Sequence, residues 1–297
     1  MTVHAFAQVD VFTDIALRGN PVAVVFGGEV LSTEQMQAFC DWTNLSEATF
    51  LVPPSDPAAD YSVRIFSPGR ELPFAGHPTL GTCHAWLESG ARPRSEDVIV
   101  QECGIGLVRI RRNLGSGAVS LGAVPSGAVS LGAVAFAAPE LVRSGPLSPA
   151  ERDRVIAALR IAPDAVVGHQ WCDNGPGWQA VLLHSAEQVL AVRPDPALMA
   201  GLDIGIAAPH RPGGPADLEV RAFFTGSGGV VSEDPVTGSL NAALGQWLIP
   251  NGMMPHRYVA RQGTALGRDG RVIVEFDGQT TWVGGHCRTV LSGKAVL

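Results

Sequence analysis

The stretch Phe74–Leu87, FAGHPTLGTCHAWL, decides how this chain is read. Pro73-Phe74-Ala75-Gly76-His77-Pro78 is tight-turn chemistry, and Leu80, Cys83, His84 and Leu87 follow at helical spacing. The turn therefore opens a helix. Later in the chain, Glu233-Asp234-Pro235-Val236-Thr237-Gly238-Ser239 is a second turn, and it opens a helix through about Leu248. Gly76-His77-Pro78-Thr79-Leu80 runs on to Trp86-Leu87, and Gly238-Ser239-Leu240-Asn241 runs on to Trp247-Leu248, with one residue of offset. The echo predicts two related halves with α and β elements, each presenting a helix N-terminus to a shared cleft.

Outward from these turns the pattern is mostly strand. Val3 to Phe12 alternates apolar and polar residues, Arg18-Gly19-Asn20-Pro21 is a turn, and Val22 to Phe26 is a buried strand. Ser32, with Gln35 three residues on, caps a helix through about Trp42. Ala48 to Val52 and Tyr61 to Phe66 read as strands, and Asp97 to Ile110 as a hairpin around Gly104. In the second half, Ser148 to Leu159 is a capped helix. Ala165 to His169 and Gln179 to Leu183 are strands flanking Asp173-Asn174-Gly175-Pro176, and Leu218 to Phe224 is another. Arg271 to Phe276 and Thr281 to Val283 form a closing hairpin. The nine-residue string SGAVSLGAV occurs at Ser116–Val124 and again at Ser126–Val134, too short a repeat for a solenoid. It reads as a local duplication in the crossover between the halves. The division predicted is 1–125, rejoined by 286–297, and 126–285.

Composition removes several classes of function. Of 297 residues, 46% are hydrophobic and 16% charged, so the chain carries a full core and is not disordered. The formal net charge of −7 comes without a basic patch, so no nucleic-acid partner is expected. Arg109, Arg111 and Arg112 alternate with apolar residues as a solvated strand face would. No apolar run of membrane-spanning length and no signal peptide is visible, so a cytoplasmic protein without a membrane partner is expected. The five cysteines (Cys40, Cys83, Cys103, Cys172 and Cys287) contain no CxxC, which argues against a disulfide framework or a zinc ribbon. Lys294 is the only lysine, so an interior Schiff-base lysine and a P-loop are both missing. No cofactor and no metal are expected. His77 and His84 lie seven residues apart on a similar helix face, but no third ligand accompanies them, and His84 reads as packing.

A helix N-terminus offers unpaired N–H groups and a positive dipole end, and so holds a carboxylate well. Proton transfer at the adjoining carbon then needs a base nearby. Glu47, His77 and Asp234 all stand beside Gly/Pro turns and are the candidates. From residue type alone, each reads equally well as a capping, surface or core residue.

Asn20-Pro21 with Val22-Ala23-Val24-Val25, Asn44-Leu45-Ser46-Glu47-Ala48-Thr49-Phe50, Phe74 through Gly81 and Glu233 through Ser239 together resemble the PhzF family of phenazine-biosynthesis-like isomerases. Asp173-Asn174-Gly175-Pro176, Gln262-Gly263 with Gly267-Arg268, and Val283-Gly284-Gly285 fit the same pattern, in order along nearly the whole chain. The resemblance implies an α+β, diaminopimelate-epimerase-like fold. That fold has two pseudo-symmetric domains, each a curled, mostly antiparallel sheet wrapped around a central helix, with the site between them and a homodimer as the assembly. It implies isomerisation of a small cyclic or amino-acid-like carboxylate without a cofactor, as in dihydro-hydroxyanthranilate isomerisation. Carried over, Glu47 is the proton shuttle, His77, Asp234 and Ser239 surround and orient the substrate, and Gly76 and Gly238 supply backbone N–H groups to its carboxylate. Asp173 and Asn174 line the substrate site.

Related epimerases on this fold place cysteines in the two turns. Here the turns read Ala75-Gly76-His77 and Asp234-Pro235-Val236, without a thiol. The rival from another class is a non-catalytic small-acid-binding or scaffolding protein on the same fold. Iodoacetamide separates thiol from carboxylate chemistry: activity is expected to survive it, and inactivation would return the argument to a cysteine.

Overall fold

The computed structural model describes residues 2–112, 132–226 and 229–297. The chain forms two compact units, Met1–Ala137 with Gly284–Leu297, and Ala138–Val283. The sequence reading divides the chain at 125/126 and returns it at 286. The divisions fall instead at 137/138 and 283/284, because the strand Val134–Ala137 pairs with Gly106–Arg112 of the first unit. Position 125 and most of the SGAVSLGAV repeat lie outside the described residues.

The first unit runs β1 (Val3–Val11), β2 (Asn20–Val25), α1 (Thr33–Thr43), β3 (Ala48–Val52), β4 (Tyr61–Ser67), β5 (Arg70–Leu72), α2 (Gly76–Glu88), β6 (Val98–Cys103), β7 (Gly106–Arg112) and β8 (Val134–Ala137). β2 and β3 are parallel, as are β4 and β6; the other neighbours, β1–β2, β3–β4, β4–β5, β6–β7 and β7–β8, are antiparallel. The capping box expected at Ser32 is complete: Ser32 Oγ accepts from the Gln35 N–H, and Gln35 Oε1 accepts from the Ser32 N–H. In β7, Val108 and Ile110 point inward and Arg109 outward, as the alternation predicts.

The second unit runs α3 (Pro149–Leu159), β9 (Val166–Trp171), β10 (Trp178–Leu183), α4 (Ala186–Ala191), β11 (Asp203–Pro209), β12 (Leu218–Thr225), β13 (Val231–Asp234), α5 (Gly238–Leu248), β14 (Arg257–Gln262) and β15 (Gly270–Phe276), and β16 (Thr281–Gly285) begins in it and ends in the first unit. Its pairings repeat those of the first unit. β10–β11 and β12–β14 are parallel, while β9–β10, β11–β12, β12–β13 and β14–β15 are antiparallel. β17 (Cys287–Val296) returns to the first unit and pairs antiparallel with β1.

Seven strands and helices have no counterpart in the sequence reading, β5 and β8 among them. Val231–Asp234 is a short strand rather than part of a turn, and α4, β11, β14 and β17 were passed over. β17 is the instructive case: it holds Ser292, Gly293 and Lys294 and is half exposed, so its alternation is weak. Its pairing with β1 joins residues nearly three hundred positions apart, which no local pattern encodes.

Each unit buries one helix. Eleven of the thirteen residues of α2 are buried, and the helix packs against β1, β2, β3, β8 and β17. Nine of the eleven residues of α5 are buried. Such helices need close approach, and glycine provides it. A Cβ on Gly81 of α2 would fall 2.3 Å from Val22 Cγ1, and one on Gly245 of α5 would fall 2.6 Å from Val274 Cγ1. These contacts establish the expected architecture, a mostly antiparallel sheet around a central helix, in each unit separately. Among the described residues, no helix is long and apolar enough to cross a membrane.

Gly81→Ala is expected to cost about 1–3 kcal/mol in urea unfolding, by overpacking. Gly293→Ala, whose Cβ would meet nothing within 4 Å, should cost less than about 0.5 kcal/mol. Equal costs would refute the close-approach argument.

Candidate active site

The first unit brings Glu47 and His77 together. α1 ends on Asn44 in the left-handed conformation (φ 57°), which turns the chain toward β3. Glu47 is the residue just before β3, and its carbonyl accepts from Ala23 N–H of β2. His77 is the second residue of α2. Its Nε2 lies 3.3 Å from Glu47 Oε2, with side-chain exposures of 6% and 16%. On the opposite ring edge, Nδ1 lies 3.4 Å from Asn20 Nδ2. Burial pushes the His77 pKa down to about 3, and a contact with the Pro21 carbonyl only partly opposes it. The ring is therefore neutral at physiological pH.

The turn that leads into Asn20 is held by Asp10, which the sequence reading does not single out. Asp10, buried in β1, accepts from the N–H groups of Arg18 (2.9 Å) and Gly19 (3.2 Å). A Cβ on Gly19 would sit 2.1 Å from the Val11 carbonyl oxygen, so the turn requires glycine there. A lone acid within an otherwise apolar strand end, followed by Gly-Asn-Pro, was the available signal for Asp10 and Asn20.

In the second unit, Asp234 ends β13 and its Oδ2 receives the Thr237 hydroxyl at 2.5 Å. Ser239 is the second residue of α5, the position His77 takes in α2. Its Oγ accepts from Trp178 Nε1 at 3.0 Å and its carbonyl from Asn174 Nδ2 at 2.9 Å. Asp173 Oδ1 accepts from the Gly175 and Gly177 N–H groups, so this carboxylate shapes its own loop. Asp173 and Asn174 thus stand behind the start of α5.

The helix starts themselves differ in kind. α1 and α3 open with complete capping boxes and α4 with a Ser185 cap, whereas neither α2 nor α5 has a side-chain cap. The N–H groups at Gly76-His77 and Gly238-Ser239 are those a bound anion would use.

The cysteines offer no nucleophile. Burial pushes Cys40 up to about 11 and both Cys83 and Cys172 up to about 12, and it raises Cys103 and Cys287 as well. Among the described residues, no group of three or more His, Cys, Asp and Glu could hold a metal ion. His84 Nε2 instead lies 3.2 Å from Glu88 Oε1, one turn along α2.

A carboxylate and a neutral histidine thus meet at an uncapped, buried helix start. Residues 9–297 match the family model for phenazine biosynthesis-like protein, PhzC-PhzF. Antisense-enhancing sequence 1 of Schizosaccharomyces pombe is 31% identical over all of both chains. The trans-2,3-dihydro-3-hydroxyanthranilate isomerase of Pseudomonas aeruginosa is 30% identical, over 99% of this chain and 100% of its own. A solved PhzF-family structure from Bacillus anthracis superposes over 100% of both chains with a TM-score of 0.79 at 19% identity, a likeness of fold. The chain belongs to the phenazine biosynthesis-like (PhzC-PhzF) family.

The depressed His77 pKa has a stability consequence. The unfolded histidine, near 6.5, binds a proton that the folded one refuses until about pH 3. Its contribution is complete above pH 6.5 and is lost as pH falls, at up to about 1.4 kcal/mol per pH unit. Urea unfolding should find this component about 2 kcal/mol smaller at pH 5 than at pH 7, and His77→Gln should abolish that difference. Parallel pH profiles for the two proteins would show that His77 is not buried neutral.

Proposed function

We propose that the chain is a cofactor-independent isomerase in which Glu47 removes a proton from one carbon of a small cyclic or amino-acid-like carboxylate and returns it to another. The observation that carries this is the Glu47–His77 contact at 3.3 Å beside the uncapped start of α2. The substrate carboxylate is assigned to the N–H groups of Gly76 and His77. The Glu47 carboxylate takes the C–H proton, and the electron pair left behind delocalises into the conjugated acid. Glu47, now protonated, gives the proton to the second carbon, so atoms and charge balance with no redox partner.

A neutral His77 serves both states of Glu47. With its proton on Nε2 the ring donates to the carboxylate, and with its proton on Nδ1, directed to the Pro21 carbonyl and with the Asn20 amide reversed, it accepts from the carboxylic acid. An imidazolium would favour only the carboxylate and so stall the return step. Asp234, Gly238 and Ser239 are assigned to the same reaction through their family motif, with Asn174 and Trp178 supporting Ser239. The nature of the relative from Pseudomonas aeruginosa makes trans-2,3-dihydro-3-hydroxyanthranilate the first substrate to offer.

The test follows isomerisation and solvent-deuterium incorporation by NMR, for that compound and a panel of small cyclic carboxylates. Glu47→Gln is expected to lower kcat by about 10³-fold or more while ligand affinity stays within a few-fold. Undiminished turnover in Glu47→Gln would overturn the proposal. Binding without deuterium exchange across the panel would favour the non-catalytic small-acid-binding reading.

A further inference from the structure

Gln262 ends β14 and is fully buried. Its amide makes four hydrogen bonds, three to the turn that opens α5 and one to the first turn of that helix. Oε1 accepts from the Thr237 backbone N–H at 3.0 Å and from Asn241 Nδ2 at 2.9 Å. Nε2 donates to the Asp234 carbonyl at 3.1 Å and to Thr237 Oγ1 at 2.8 Å. Chemistry fixes the orientation of this amide: a backbone N–H can only donate, so the oxygen must face Thr237 N. The NH₂ end then makes the Thr237 hydroxyl an acceptor. That hydroxyl has one proton, and Asp234 Oδ2 stands 2.5 Å away to receive it. The result is a directed chain from Gln262 through Thr237 to the Asp234 carboxylate. It uses the Thr237 side chain on Asp234, and α5 consequently starts without a side-chain cap.

Backbone packing holds the same turn. Gly263 adopts φ +90°, and a Cβ there would lie 2.6 Å from the Pro235 carbonyl oxygen. A Cβ on Gly270 would lie 2.3 Å from Val236 Cγ2. The first unit has the matching glycine contact, but its buried amide, Gln101, stands two residues earlier than the Gln262 position and bonds Thr79 and Tyr61 rather than the turn. By strand register Gly104 corresponds to Gly263, and its Cβ would lie 2.6 Å from Pro73 Cα. Cys103 stands where Gln262 does, and Ala75 where Thr237 does. The hydrogen-bond chain is therefore an addition to the shared scaffold, made where Asp234 is.

We propose that Gln262 and Thr237 are positioning residues for Asp234, holding its carboxylate in one orientation through a directed hydrogen bond. Neither is assigned contact with the substrate. The inference rests on the assignment of Asp234 to the reaction.

The experiment is a double-mutant cycle in the deuterium-exchange and isomerisation assay, with thermal unfolding as the check on folding. Thr237→Val is expected to lower kcat about 10-fold or more with KM changed less than about twofold, and Thr237→Ser to restore kcat within about threefold. Gln262→Leu should act in the same direction. In an Asp234→Asn background, Thr237→Val should cost nothing further. An equal loss in both backgrounds would overturn the inference while leaving Asp234 in the reaction. Unchanged kcat in Asp234→Asn alone would remove Asp234 from the reaction, and this inference with it.

Discussion

Burying a helix on nearly every face is the constraint from which the rest of each unit follows. A helix inside a curled sheet cannot keep a wide polar stripe, and its flanking strands must approach its backbone closely. α2 meets this with Gly81 against Val22, and α5 with Gly245 against Val274. Sheet glycines do the same in reverse: a Cβ on Gly205 would fall 2.3 Å from Leu240 Cδ1. The polar residues that remain are paired inside. Thr82 donates to Thr49 at 2.8 Å, and Gln101 bridges Thr79 and Tyr61 at 3.0 Å each.

A buried helix must also begin inside the protein, where its first N–H groups cannot be left to water. The surface helices solve this with serine caps. The two central ones begin at Gly76 and Gly238 after a Pro–X–X spacer, pinned by the glycine just after a later strand, Gly104 against Pro73 and Gly263 against Pro235. That shared device explains why the two units have the same order of parallel and antiparallel pairings. On it each unit carries different chemistry. The first places Asn20, His77 and Glu47 in one line of contacts, and the second places Gln262, Thr237 and Asp234 in another. Neutral His77 and directed Thr237 are two ways of giving a carboxylate a defined partner.

Much of this was legible from residues. Gly-Pro punctuation located both central helices, and the Ser32 and Ser148 boxes located the surface ones, because caps and turns are local chemistry. Glu47 and His77 are candidates by their Gly/Pro turns and take their roles from the family resemblance, but their thirty-residue separation gives no local sign that they touch. β17 and β14 escaped because strand pairing is non-local, and β17 in particular lacks a strong alternating pattern. Asn20, Thr237 and Gln262 stand in motifs that carry the resemblance, but their roles, like Asp10 altogether, escaped for a related reason. Their roles rest on hydrogen bonds that sequence spacing does not announce, Gln262 reaching Thr237 across twenty-five residues and Asn20 meeting His77 across fifty-seven, and a buried polar residue reads in sequence as an interruption of the apolar pattern.

The central claim is that Glu47 meets the carbon beside a carboxylate held at the start of α2. A crystal structure with a non-isomerisable cyclic carboxylate, chosen from the compounds that bind, addresses it most directly. The account predicts the ligand carboxylate within hydrogen-bonding distance of the Gly76 and His77 N–H groups and a Glu47 oxygen about 3–3.5 Å from the carbon that would lose its proton. A carboxylate bound away from α2, or a Glu47 side chain turned from the ligand, would contradict it.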